Sequence, residues 1–140
     1  MDLHPIAQRI GDQVKSIIKI GLAGDFQTAQ ANLRIQAPAA FVIPSSERAG
    51  PSELVQRVSQ RVAFRFAVVL AIQNLRDMQG DAAQTDLDPI RQGVKAALLG
   101  WQPDAADSPI TFVAGRLVKW ADGVLWWLDE FETTYYVRST

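Results

Sequence analysis

The chain has 140 residues and contains no cysteine and one histidine. The first absence excludes disulfides, thiol catalysis and cysteine-based zinc sites, and it fits a chain made in a reducing cytoplasm. The second leaves no Ser-His-acid triad. His4 stands beside the N-terminus and a proline, where it reads as a helix-start residue, and no G-x-S-x-G elbow is present. An excess of one charge is also missing. Fourteen basic against 15 acidic residues give a net charge of −1, so the chain has no basic footprint for a phosphate backbone. The longest unbroken apolar run, Phe66 to Ile72, is seven residues, where a membrane span needs about 20. The opening MDLHPIAQ has an acidic residue at position 2 and no basic-then-apolar signal pattern, so the chain is expected to be soluble and not secreted. Neither a Walker-type loop nor a G-x-G-x-x-G turn occurs, which removes the usual phosphate cradles.

What is present is an ordinary globular composition, 48% hydrophobic and 21% charged, enough for one domain over residues 1–140 with a real core. Ile6, Ile10, Val14, Ile17 and Ile18 recur at helical spacing, which predicts a helix at about 5–20 with Pro5 in its first turn and Gly21 just past its end. Gly11 inside that helix suggests a close packing contact. Residues 21–38 read either as a short helix with Asp25 as cap or as an irregular connection. A short strand at about 39–44 follows, and then a long loop marked by Pro44, Gly50 and Pro51.

The clearest β signal is 58–74. Even positions carry Val58, Val62, Phe64, Phe66, Val68, Leu70 and Ile72, while odd positions carry Arg61 and Arg65 and then small apolar residues. One face is core. The other is solvated at one end and covered at the other. At more than a dozen residues the strand exceeds the usual length, so part of it is expected to project as an arm. The stretch 76–88 reads as a polar loop. Asp88 as N-cap and Pro89 at the first helical position then open a second helix with Ile90, Val94, Ala97 and Leu98 on one stripe, ended by Gly100. Residues 101–109 form a proline-containing loop.

The last third reads as a hairpin around Asp122-Gly123, a favoured two-residue turn. That turn predicts a register in which Trp120 faces Leu125, Lys119 faces Trp126, Val118 faces Trp127, Leu117 faces Leu128, Arg116 faces Asp129 and Gly115 faces Glu130. The elements together predict an α+β fold, a mostly antiparallel sheet of about four strands with two main helices on one face and a C-terminal β-hairpin.

Successive strand residues point to opposite faces. Trp126 and Trp127 therefore cannot share a core. The register assigns Trp127 to a core face with Trp120 and Phe131, next to the core residues Phe64 and Phe66 of the long strand. Trp126 falls on a face that turns acidic at Glu130 and Glu132. Either a loop such as 21–38 or 100–109 covers it, or another subunit does. Glu130 and Glu132 share a face at about 7 Å, a spacing that could serve a carboxylate-dependent hydrolase. Two glutamates keeping a strand edge soluble is the plainer reading. Asp77, Asp81, Asp86 and Asp88 lack the ligand pattern of a calcium loop, and neither a metal nor a cofactor site is expected.

Four stretches taken in order resemble the tail-terminator (tail-completion) proteins of long-tailed bacteriophages, including those of Mu-like and related prophages. They are AAFVIPSSERA (39–49), VQRVSQRVAFRFAVVLAIQNLRD (55–77), DPIRQGVKAALLGWQP (88–103) and SPITFVAGRLVKWADGVLWWLDEFETTYYVR (108–138). The resemblance implies an α/β fold that assembles as a hexameric ring on the head-proximal end of the tail tube, stops tube growth and offers a surface to the head connector. It implies no catalytic residue and no cofactor. The implied partners are further copies of the chain, the tail tube protein and the connector or neck proteins, with DNA only as cargo through the lumen. The implied location is the virion tail, after assembly in the host cytoplasm. A neck or head-completion protein of related fold is the alternative.

A head-to-tail ring needs two different patches on each subunit. From the sequence, the basic patch is Arg57, Arg61 and Arg65 with Lys119 nearby, and the acidic one is Glu130 and Glu132 beside Trp126. On this reading the patches meet across the subunit boundary with Trp126 as anchor. Trp126→Ala should then weaken the ring, while Trp127→Ala should cost about 3–5 kcal/mol of fold stability.

Overall fold

A computed structural model of the chain describes residues 1–31, 36–73 and 81–140. In chain order the elements are α1 (His4–Gln13), β1 (Lys19–Gly21), α2 (Ala23–Ala31), β2 (Ala39–Ser52), β3 (Ser59–Gln73), α3 (Asp81–Leu98), β4 (Thr111–Ala121) and β5 (Val124–Arg138). The strands form one sheet in the order β1-β2-β3-β5-β4. β1 runs parallel to β2, and every other pairing is antiparallel. The α+β class is as expected, with five strands in place of about four.

Helix α1 buries Ile6 and Ile10 and ends at Gln13, a full turn and more short of the expected boundary. The adjacent β-branched residues Ile17 and Ile18 favour extended backbone. Ile18 N–H donates to the Pro38 carbonyl at 2.9 Å, and Lys19–Gly21 then pair with Ala39–Phe41. Ile17 is buried and Ile18 is exposed. Gly11 has the packing reason expected of it, because a Cβ there would lie 3.0 Å from Ile20 Cδ1.

Of the two readings of 21–38, the helix is the observed one over Ala23–Ala31, and 32–35 lie outside the described residues. Asp25 caps from inside the first turn, its Oδ2 accepting the Leu22 N–H at 2.9 Å. A carboxylate three residues past the cap satisfies a free N–H in this way. Any side chain at Gly21 would collide with Asp25.

The expected loop after residue 44 is strand. β2 runs on to Ser52 through two irregularities, at Pro44/Ser46 and Ala49/Ser52. Bulges and an edge position accommodate prolines that a central strand would reject. β1 covers only Ala39–Phe41 of β2's outer side, so both prolines lie on open edge among the described residues. β2 and β3 meet in a tip, Glu53–Val58, that is exposed throughout.

β3 follows the alternation. Phe64, Phe66, Val68, Leu70 and Ile72 join the main core under α1 and α3, Val62 is buried beyond them, and Val58, expected on the same face, is exposed in the tip. On the opposite face Arg61 and Arg65 are exposed, whereas Val69 and Ala71 are buried in a second cluster. α3 begins at least two turns earlier than expected and carries Pro89 inside it. The polar run had hidden that start, although Leu87 is buried and extends the stripe of Ile90, Val94, Ala97 and Leu98. Residues 76–80 of the expected loop, Asp77 among them, lie outside the described residues, as do 74 and 75. Gly100 follows the helix at φ +82, as a residue past a C-terminus should.

The β4–β5 turn is the two-residue one, with φ of 56 at Asp122 and 74 at Gly123. Trp120 faces Leu125 and Lys119 faces Trp126 as expected. A bulge between Leu117 and Lys119 then shifts the register by one. Leu117 faces Trp127, Arg116 faces Leu128 and Gly115 faces Asp129, and a second bulge brings Phe112 opposite Phe131. The expected partners of Val118, Leu117, Arg116 and Gly115 are therefore each displaced.

The two tryptophans lie on opposite faces of β5, and the chain itself covers both. The two main helices, α1 and α3, share one face as expected, and the short helix α2 packs on the other. Phe26 of α2 and Phe41 of β2 lie 5.8 and 6.4 Å from the Trp126 ring. Trp126 is 4% exposed. Trp127 is half-buried and packs against the main core with Trp120 and Tyr135, while Phe64, Phe66 and Phe131 are fully inside it. Trp126→Ala should therefore cost about 3–5 kcal/mol of fold stability, at least as much as Trp127→Ala. Denaturant titration of both variants checks the order.

Candidate functional site

The sheet face opposite α1 and α3 is open beyond α2, and the sequence-predicted charges lie there. The β3–β5 register places Arg65 directly opposite Glu132 and Arg61 opposite Tyr136. Arg65 Nε donates to Glu132 at 3.0 Å and Nη1 to Glu130 at 3.4 Å. Ser45 Oγ donates to the other Glu130 oxygen at 2.7 Å. The hydrogen bond to Glu132 is the main reason the Arg65 pKa lies above its usual value. Arg61 Nη2 pairs with Asp107 at 3.1 Å. The two patches expected to meet across a subunit boundary meet within one chain. The physical reason is strand order, which makes β3 and β5 neighbours and lines up their charged ends. These exposed pairs stabilise the fold little on their own.

The remaining predicted interface residues are dispersed. Arg57 lies in the hairpin tip, outside β3, with its carbonyl accepting from Ser52 Oγ at 3.2 Å. Lys119 Nζ sits 5.3 Å from the Trp126 ring centroid. Trp126 is sealed by Phe26 and cannot present an anchoring surface as it stands. Two shallow grooves mark the open face. One of about 370 Å³ runs between Ser46, Arg48, Arg65 and Glu132, and one of about 430 Å³ between Arg48, Pro51, Glu53, Arg61 and Thr134. Glu130 and Glu132, the pair whose spacing could serve hydrolysis, are held by Arg65 and Ser45. No cluster of three or more possible metal ligands occurs among the described residues. None of their helices is long and apolar enough to cross a membrane.

One buried polar group escaped the sequence reading. Asp129 is 1% exposed in the helix face of β5. Arg91 of α3 grips it with two parallel bonds, Nε to Oδ2 at 3.0 Å and Nη2 to Oδ1 at 2.8 Å. Trp127 Nε1 adds a third at 2.9 Å, and the Arg91 guanidinium lies 4.5 Å above the Trp127 ring. The bond to Asp129 raises the Arg91 pKa. A Cβ at Gly115 would fall 2.5 Å from Asp129 Oδ1, so the facing strand must carry glycine there. Asp129 falls on the apolar side of the β5 alternation, a signal that the assumed pairing with Arg116 obscured.

Two tyrosines tie the hairpin end to β5 from opposite faces. Tyr135 Oη donates to Glu47 at 2.6 Å, and Tyr136 Oη donates to Glu53 at 3.1 Å. A carboxylate beside a phenol opposes its ionisation, so both pKa values lie above the usual 10.0, chiefly through these bonds. The backbone closes the same end, with Val58 N–H donating to Ser139 Oγ and Ser139 N–H to the Val58 carbonyl, each at 2.9 Å.

The family model described as phage tail terminator protein matches residues 1–140, the whole chain. No curated protein matches it.

The buried pair and the tyrosine pairs each give an expected outcome. Arg91→Ala strands a buried carboxylate and should cost about 3–5 kcal/mol of stability, read by chemical denaturation. Tyr135 and Tyr136 are the only tyrosines, so phenolate absorbance reports on them alone. Their folded pKa is raised, so the stability they contribute is present below pH 10 and lost as pH rises through the folded value. In the folded chain the titration midpoint should exceed 10, and Glu47→Gln with Glu53→Gln should return it toward 10.

Proposed function

The chain belongs to the phage tail terminator family, and on that premise we propose that it forms a hexameric ring on the head-proximal end of the tail tube. The ring ends tube growth and presents a surface to the head connector, while DNA passes through its lumen. The family is a structural one, and its members are components of the phage tail. The observation that carries the proposal is the family match over residues 1–140.

The site geometry supports a structural role. The two carboxylates that could have served hydrolysis are occupied by Arg65 and Ser45. The work of such a protein is then done by surfaces: one toward the tube, one toward the connector, and two that close the ring. It needs no cofactor and no catalytic group.

The ring is the direct test. Mass photometry at micromolar concentration should give a particle near six times the chain mass, and negative-stain images should show an annulus with an open centre. A monomer under all conditions, or a closed dimer, would overturn the proposal.

A further inference from the structure

Eight large hydrophobic side chains are exposed among the described residues, and seven of them form two groups. Leu54, Val55, Val58 and Val137 gather at the hairpin end, with Val55 wholly in solvent. Leu99, just past α3, and Phe112 and Leu117 of β4 form the second group at the opposite edge of the sheet. The strand members of both groups, Val137, Phe112 and Leu117, belong to the helix side of the sheet. Val137 lies two residues beyond Tyr135, which packs in the main core, and Phe112 packs edge-on against Phe131.

Beside each group on the helix side stands a charge without an opposite partner among the described residues, Glu47 near the first and Lys95 near the second. Glu47, opposite Phe64 in the register, accepts only from the neutral Tyr135 hydroxyl and pairs with no cation among the described residues. Lys95 lies 4.3 Å over the Phe112 ring and pairs with no carboxylate among them. A head-to-tail ring contact uses two unlike patches on every subunit, once each.

The strand edges do not offer the same opportunity. β2's open edge carries Pro44, Pro51 and two irregularities, and β4 carries two bulges. Such features guard an edge against pairing with another chain. Contact between copies therefore falls to side chains.

We propose that the ring's subunit contact is the hairpin end of one copy seated on the α3–β4 ledge of the next, with Glu47 set against Lys95. The proposal rests on the ring reading and assigns its interface to this pair of patches in place of Trp126 and the Arg65–Glu132 charges. The apolar groups supply the burial, and the charges set orientation and partner choice.

Two variants and their mixture test it, with the wild-type chain measured in parallel. Val55→Asp spoils the hairpin end and leaves the ledge intact, and Leu117→Asp does the reverse. Each alone should lose more than tenfold of the ring population in mass photometry. An equimolar mixture should form one-to-one dimers, because each variant supplies the patch the other lacks. Thermal melts check that both remain folded, and Leu99→Asp replaces Leu117→Asp if the strand substitution lowers the melting temperature. Charge reversal adds an independent arm: Glu47→Lys and Lys95→Glu should each weaken the ring, and the double variant should restore it. Rings formed by either aspartate variant, or mixtures that yield no dimer while wild type forms rings, would overturn the assigned surfaces and leave the ring reading standing. A monomeric wild type would overturn both.

Discussion

A carboxylate buried in the middle of a sheet must be matched at once or it destabilises the fold by several kcal/mol. Asp129 is that carboxylate, and the elements around it are arranged by its requirements. Arg91 supplies two bonds and fixes how α3 lies across β5. Trp127 supplies a third bond and a flat surface beneath the guanidinium. Gly115 leaves room for the carboxylate on the neighbouring strand. The β4 bulge between Leu117 and Lys119 is what brings Gly115 opposite Asp129, since an unbroken register would have set Arg116 there. Helix, strand register and glycine all follow from one buried charge.

The same strand divides the molecule into two sides with different tasks. On the helix side β5 carries Leu125, Trp127, Asp129 and Phe131 into the main core. On the other side Trp126 fills a small second core under α2, and the chain then turns polar at Glu130. Arg65 of β3 neutralises that polar stretch from within. An interface built on those charges would have had to break internal pairs first. Glu47 and Lys95, each without an opposite partner among the described residues, lie on the helix side. This shifts the proposed assembly surface from the open sheet face to the two ends of the helix face.

Much of this was legible in the sequence, where local chemistry decides the outcome. The alternation of β3 is visible because one face is buried from Val62 to Ile72. The Asp122-Gly123 turn is visible because both positions take positive φ, and it fixed the first pairs, Trp120 with Leu125 and Lys119 with Trp126. What failed depended on non-local pairing. A bulge at Val118 leaves no mark in composition, yet it shifts every pair beyond it. Pro44 and Pro51 read as loop because a proline in a strand is acceptable only on an edge, and edges are set by strand order. Pro89 read as a helix start because propensity places it there, while packing of Leu87 carries the helix further back. The pairing of Arg65 with Glu132 required knowing that β3 and β5 are neighbours. The phage tail terminator resemblance, by contrast, depended on the order of stretches along the chain, and it agrees with the family match over residues 1–140.

The account stands on the chain acting at the end of a growing tube. The most direct measurement is tube length by electron microscopy, with the purified chain added to its cognate tube subunits during polymerisation. The account predicts that tubes stop growing, that their mean length falls as the chain is increased, and that density caps one end only. Tubes of unchanged length with the chain absent from both ends, or bound along the shaft, would contradict it.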